Sequence, residues 1–238
     1  MPHDHTSIPV DLERTLADAQ KRVADFTPHP NYAVYRQQER LYWAAAPRWI
    51  ADARLTPESR VLDVGCAYGT LAVFTRLAFG ARVHGVDFID AYTPRDLFRR
   101  LEIPFAVCNI EFDEPPFPPP FDLILFTEVL EHLNFDPVPT LARLAGLLRP
   151  GGWIILTTPD ASEWGRVTTF YRRLADMPPP RRRDSYFDGH VWQYQVHELL
   201  WVVERAGLIP VALEYSPGVT ARHFNLLLKR RADVEPTL

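Results

Sequence analysis

The chain has 238 residues, 47% hydrophobic and 24% charged, enough for one α/β domain with a full core and some decoration. A formal net charge of −4 argues against a large basic footprint for duplex nucleic acid, though a local basic patch stays open. Two cysteines are too few for a disulfide framework and neither has metal-type spacing, so a reducing, cytoplasmic setting is expected. The opening "MPHDHTSIPVDLER" has no basic n-region and no apolar h-region, and no apolar run approaches the ~18 residues of a membrane span.

Apolar residues at 12, 16, 19, 23 and 26 predict a first helix. A second follows in "YRQQERLYWAAAPRWIADA", which Pro47 is expected to break or kink. The pattern then changes, so residues 1–55 read as a helical extension and 56–238 as an α/β domain. Strand-type runs fall at "RVLDVG" (60–65), "ARVHGVD" (81–87), "PFAVCNI" (104–110), "FDLILFT" (121–127) and "WIILTTP" (153–159). Helices are expected at "TLAVFTRLAF", "PRDLFRRL", "DPVPTLARLAGLL" and "QVHELLWVVERAGL". Residues 160–190 are polar and arginine-rich and read as a cap insertion. "IPVALEY" and "RHFNLLLKR" close the chain as a hairpin joined by "SPGVTA". Strands alternating with helices mean a mainly parallel sheet covered on both faces, with the final hairpin antiparallel at one edge. Ligands in such sheets bind at the carboxyl ends of the strands. The weight therefore falls on residues 65–69, Asp87, Asn109, 128–132 and Pro159 onward.

"VLDVGCAYG" is a strand, a tight glycine loop and a helix start, and Asp87 ends the next strand 22 residues after Gly65. An acid there can take both hydroxyls of a ribose. The small residues Gly65, Ala67 and Gly69 are more closely spaced than the dinucleotide fingerprint, and no G-K-[ST] phosphate loop exists. With Asp63 at its base, the loop suits a cationic nucleoside with an amino-acid tail.

"VLDVGCAYG", "VHGVD", "FDLILFTEVLEHL" and "LLRPGGWIILTTP", in this order, resemble the class I S-adenosylmethionine-dependent methyltransferases over about residues 58–229. The resemblance implies a Rossmann-like sheet of about seven strands with a reversed last strand. It implies that Asp63, Gly65, Cys66, Ala67 and Gly69 line the methionine end of the cofactor and that Asp87 binds its ribose. Asn109 and Ile110 would lie at the adenine, with Phe88 packed on it or buried in the core, and Glu128 would border the cofactor. Many members carry an aspartate where this chain has Asn109; an amide oxygen can still accept from the adenine amino group.

"EVLEH" places Glu128, Glu131 and His132 at i, i+3 and i+4, on one face if the chain is helical there. Ubiquinone-biosynthesis O-methyltransferases and small-RNA 2′-O-methyltransferases are similar at this motif and at a later histidine, here His190. The resemblance implies a divalent metal, Mg²⁺, Mn²⁺, Fe²⁺ or Zn²⁺, held by Glu128, Glu131, His132 and His190. The metal-free reading makes His132 a general base, with Glu131 beside it. Either way the cluster favours O-methylation, because a neutral hydroxyl is a poor nucleophile. The expected acceptor is a small hydroxylated molecule, a catechol-like phenol or a sugar. A rival is the 2′-hydroxyl of an RNA 3′ end, which the net charge disfavours without excluding. Another is a scaffold that keeps the fold for protein interaction, which the intact loop and cluster argue against. Arg172, Arg173 and Arg181 to Arg183 are expected either to recognise an anion or to form a solvated face. The acceptor, the metal and the oligomeric state stay open at this level.

Overall fold

The computed structural model describes residues 11–27, 29–166, 170–182 and 186–234. Three helices come first: α1 (Leu12–Phe26), α2 (Tyr32–Tyr42) and α3 (Ala46–Asp52). Asp11 caps α1 by accepting from Arg14 N–H at 3.0 Å, a contact of the kind that contributes about 1 kcal/mol. The predicted second helix divides at residues 43–45. Pro47 lies in the first turn of α3, where its missing N–H costs nothing, so it begins a helix rather than kinking one.

The α/β body then runs β1 (Arg60–Val64), α4 (Thr70–Phe79), β2 (Arg82–Asp87), α5 (Arg95–Arg100), β3 (Phe105–Val107) and β4 (Phe121–Thr127). It continues through α6 (Pro137–Gly146), β5 (Leu148–Pro159), the single turn α7 (Ala161–Trp164), α8 (Val196–Arg205), β6 (Leu208–Ser216) and β7 (His223–Arg230). The seven strands lie in the order β3-β2-β1-β4-β5-β7-β6. β1 to β5 are mutually parallel, and β7 runs antiparallel to both neighbours. The hairpin is therefore not simply added at the edge: β7 inserts between β5 and β6.

Both faces of the sheet are covered. Leu123 and Leu125 of β4 face a core shared with α1, α3 and α4, while Ile124 and Phe126 face the core of α6 and α8; all four are fully buried. Each such side chain contributes about 1.5–3 kcal/mol of apolar transfer, which is why a near-continuous apolar run forms a central parallel strand. Leu16, Ala19 and Val23 of α1 lie in the same core as α4.

Two boundaries differ from the sequence reading for local reasons. β3 stops at Val107 because Asn109 turns the chain, its Oδ1 accepting from Glu111 N–H at 3.0 Å. β5 begins at Leu148, earlier than expected, because a register shift between Phe121 and Leu123 accommodates the Pro-Gly-Gly segment within the strand.

Candidate active site

The turn from β1 to α4 requires left-handed backbone three times, at Gly65 (φ +67), Ala67 (φ +43) and Gly69 (φ +71). A Cβ on Gly69 would stand 2.3 Å from Phe98 Cζ, so conformation and space both demand glycine there. Ala67 has no such freedom. It is held by Asp87, whose Oδ2 accepts from Ala67 N–H at 2.9 Å while Oδ1 accepts from Ile89 N–H at 3.3 Å. Burial raises the Asp87 carboxyl, and these backbone bonds oppose the rise.

Around this turn lie three spaces. A recess of about 30 Å³ is lined by Asp63, Gly65, Cys66, Ala67 and Gly69. A pocket of about 60 Å³ is lined by Asp87, Phe88, Asn109 and Ile110. An open cleft of about 640 Å³ is lined by His29, Tyr35, Tyr68, Tyr92, Glu128 and His132, among others. The predicted loop, acid and adenine-side residues thus border contiguous stretches of one strand edge. Phe88 is 36% exposed, which removes its core reading. Cys66 is buried, and burial pushes its thiol well up, so it is no nucleophile. Both cysteines are free.

The acid–acid–histidine segment is not the expected helix face. Glu128 is left-handed (φ +55), and only Leu130–His132 forms a single 3₁₀ turn. The side chains diverge accordingly. Glu128 Oε1 accepts from Thr157 Oγ1 at 2.7 Å, and Glu128 Oε2 lies 2.8 Å from His223 Nδ1, close but off the hydrogen-bonding axis. Glu131 Oε2 accepts from the buried Thr158 hydroxyl at 2.8 Å. Donor atoms of Glu131, His132 and His190 lie within 4.8 Å of one another, and Glu128 is not part of that group. The four-ligand expectation is thereby corrected to three, with Glu128 behind them, sharing a hydrogen bond with Glu131.

His190 reaches the group because the Glu131 carbonyl accepts from Val191 N–H at 2.7 Å and Trp192 N–H at 3.2 Å. Asn134 ties in the preceding residues, donating to Phe187 O at 3.0 Å and accepting from Phe187 N–H at 2.9 Å. The two imidazoles meet edge-on, ring centroids 4.9 Å apart. Burial and the His190 ring push His132 down to about 4, while its ring donates to the Gly189 carbonyl. Burial lowers His190 as well. Glu131 is pushed well up by burial and by Glu128. At neutral pH the group is therefore two neutral imidazoles and a protonated carboxyl, the state from which a dication displaces one proton. His197 lies exposed in α8.

In the cap, Arg173 pairs with Asp176 at 2.8 Å, and Arg182 pairs with Asp113 beside the Phe112 ring. Those two arginines brace the surface; Arg183 lies outside the described residues. Among the described residues no helix is long and apolar enough to cross a membrane.

A parallel sheet with a glycine turn and a strand-end acid defines a nucleoside-binding α/β enzyme. A methyltransferase-domain family profile matches residues 35–213, and the chain belongs to that family as a class I S-adenosylmethionine-dependent methyltransferase. It is 32% identical over 182 residues to a ubiquinone biosynthesis O-methyltransferase of Bordetella bronchiseptica, covering 71% of each chain. It is 30% identical over 115 residues to the Thiobacillus denitrificans protein of the same name, and that match spans only 49% of the relative. It is also similar to the solved 1,6-didemethyltoxoflavin-N1-methyltransferase of Burkholderia thailandensis, with bound substrate and S-adenosylhomocysteine. There the TM-score is 0.62 at 18% identity, over 96% of this chain and 93% of that one.

Sequence reasoning missed His223, Thr157 and Thr158 behind the carboxylates, and His29 and Tyr92 in the cleft wall. His223 had a usable signal. It begins the reversed strand, and the start of an antiparallel strand lies at the carboxyl edge of its parallel neighbours; Pro159 pairs with His223.

Proposed function

We propose that this chain is an S-adenosylmethionine-dependent O-methyltransferase of a small, planar, hydroxylated acceptor, with Glu131, His132 and His190 as the holders of a divalent cation. The observation that carries the reading is the convergence of these three donors beside a cleft that His132 also lines. The set fits a cation chemically. Two neutral imidazoles and one carboxylate suit Fe²⁺, Mn²⁺ or Zn²⁺ better than Mg²⁺. The Gly189 carbonyl fixes the His132 ring, and the Gln193 amide lies 2.9 Å from His190 Nδ1, the outer support that ligating histidines need. A bound cation would supply Lewis acidity, lowering the pKa of an acceptor hydroxyl.

The chain's own residues do the rest. The glycine turn and Asp87 are assigned to the cofactor, which brings the sulfonium methyl to the strand edge. Transfer forms an O–CH₃ bond, breaks the S–CH₃ bond and releases the hydroxyl proton. It needs the oxygen in line at roughly 3 Å, so the protein acts chiefly by positioning. Tyr68 contributes to that positioning. Its ring lies 5.1 Å from Tyr35 and 5.4 Å from Tyr92, forming an aromatic wall for a flat acceptor. A His132 held near 4 is a weak general base, which favours the ligand role over the metal-free one. The paired Arg173 and Arg182 favour a small acceptor over an RNA backbone.

The test is methyl transfer from labelled S-adenosylmethionine to a panel of catechols, other phenols, sugars and short RNA, with and without chelator. Labelled methyl ether on a phenol, lost with chelator and restored by Mn²⁺, Fe²⁺ or Zn²⁺, is expected. Methylation only at nitrogen or carbon, or only of RNA, would overturn the assignment; chelator-insensitive O-methylation would remove the cation.

A further inference from the structure

Glu39, on α2 in the N-terminal helices, is a buried acid, 2% exposed, and none of the chemistry above uses it. Its carboxylate is built into place by three donors from three helices. Oε1 accepts from Gln20 Nε2 of α1 at 2.8 Å and from the Tyr32 hydroxyl of α2 at 3.2 Å; Oε2 accepts from Thr70 Oγ1 at the start of α4 at 2.9 Å. A carboxylate has about four acceptor positions, two on each oxygen. Both on Oε1 are taken, and one on Oε2 is left.

Glu39 also lines the recess of about 30 Å³ at the glycine turn, together with Asp63, Tyr35, Gly65 and Gly69. That volume exceeds the ~10–15 Å³ a water needs and suits one small polar head group. Asp63 is as buried as Glu39, at 2% exposure, and takes one bond from the Ala72 backbone. The recess therefore has two carboxyls in its wall and no lysine or arginine among its described lining residues. Burying two carboxylates without a cation is unfavourable, and each meets that cost by keeping a proton near neutrality. Burial pushes Glu39 up to about 7, opposed by Gln20, Thr70, Tyr32 and Arg40, and pushes Asp63 up to about 7 with Asp87 adding to the rise. The other titratable groups facing Glu39 are the hydroxyls of Tyr35 and Tyr68.

We infer that Glu39 and Asp63 together receive the α-ammonium group of the cofactor's methionine tail, which makes the N-terminal helix α2 part of the cofactor site. This rests on the class I reading of the glycine turn. The amine replaces the protons as the counter-charge, so cofactor binding releases protons and ties α1, α2 and α4 together at the carboxylate. The competing role is a structural strut, Glu39 only joining those helices.

The two roles separate by ligand. S-adenosylhomocysteine carries the amino-acid tail; 5′-methylthioadenosine has the same nucleoside and lacks it. Both are titrated calorimetrically into wild type and Glu39→Gln, a change that keeps the side-chain shape and removes the charge. Expected is a loss of about tenfold to a hundredfold for S-adenosylhomocysteine, the range for a charged hydrogen bond, with less than twofold for 5′-methylthioadenosine. Between pH 8 and pH 6, wild-type affinity for S-adenosylhomocysteine should fall by about tenfold for each carboxyl that titrates near 7, and by less in the variant. Affinity for 5′-methylthioadenosine should stay flat. Equal losses for both ligands, or no loss for S-adenosylhomocysteine, would overturn the inference and leave the strut. A wild type that binds neither ligand would overturn the cofactor reading and this inference with it.

Discussion

Asp87→Ala tests the cofactor site at one side chain. In the structure its two oxygens accept from Ala67 N–H at 2.9 Å and Ile89 N–H at 3.3 Å, which leaves acceptor positions for a ribose diol. Losing a charged acceptor to a ribose hydroxyl costs about 1.5–3 kcal/mol, or roughly a tenfold to 150-fold rise in Kd for S-adenosylhomocysteine. A second contribution acts through the turn. Ala67 holds a φ of +43 that a non-glycine residue disfavours, and Asp87 is what bonds its N–H. Asp87→Asn keeps one acceptor for that N–H and loses the charge, so its affinity should fall between wild type and Asp87→Ala. Calorimetry with S-adenosylhomocysteine measures both, and a thermal melt of each variant shows that the fold persists. A Kd for Asp87→Ala within twofold of wild type, in a folded protein, would refute the reasoning and take Asp87 away from the ribose.

Three further outcomes are expected. Gly69→Ala forces a left-handed alanine, about 1–2 kcal/mol, and drives its Cβ into Phe98 at 2.3 Å, adding about 1–3 kcal/mol of overpacking. Denaturant unfolding should show a loss of about 2–5 kcal/mol, and a loss under 1 would mean the turn relaxes. Glu131→Gln and His132→Ala should each abolish the increase in Tm produced by Mn²⁺ or Zn²⁺ while leaving S-adenosylhomocysteine affinity within twofold; an undiminished increase would clear these residues as ligands. Without cofactor, stability should fall as pH rises from 5 to 8. Glu39 sits at about 7 when folded against an ordinary 4.5, so the folded chain binds more protons in this window. That stability is full below 4.5 and lost as pH rises through 7, by roughly 3 kcal/mol at about 1.4 per unit. A Glu39→Gln profile as steep as wild type would assign the slope to other groups.

The sheet was legible because its signals are local. "FDLILFT" has the apolar density of a strand buried on both faces, and "TLAVFTRLAF" matches α4 end to end. Gly65, Gly69 and Asp87 were legible for the same reason: a short turn and a strand end fix their places whatever surrounds them. What the sequence could not reveal is where a chain goes when it leaves the ladder. Glu128 to His132 has helical spacing, yet the backbone enters the left-handed region at Glu128 and one 3₁₀ turn follows. The cause is tertiary. Glu128 N–H donates to Thr157 O at 3.0 Å, and a Cβ on Gly65 would meet Val129 at 2.4 Å, so the turn is pressed between β5 and the glycine loop. No i, i+3, i+4 pattern carries that information.

The divergence of the two glutamates has a chemical consequence. On one helix face both carboxylates would have shared a single cation with both histidines. In the structure Glu128 turns back to Thr157 and His223, and the stacked Tyr42 ring, 4.3 Å from the His223 ring, closes the space behind. Glu131 faces forward with His132 and His190. One acid is thus placed to tune the other: while Glu128 stays ionised it holds the Glu131 proton on, and a cation reaching Glu131, His132 and His190 must displace that proton. Glu128→Gln removes this repulsion while keeping an acceptor for Thr157. It should lower the pH at which Mn²⁺ or Zn²⁺ raises Tm, by about one unit for a neighbouring charge. The same midpoint in wild type and Glu128→Gln would show that Glu128 does not tune Glu131. A complete loss of the metal response in Glu128→Gln would mean that Glu128 is itself a ligand and that the three-residue set is too small.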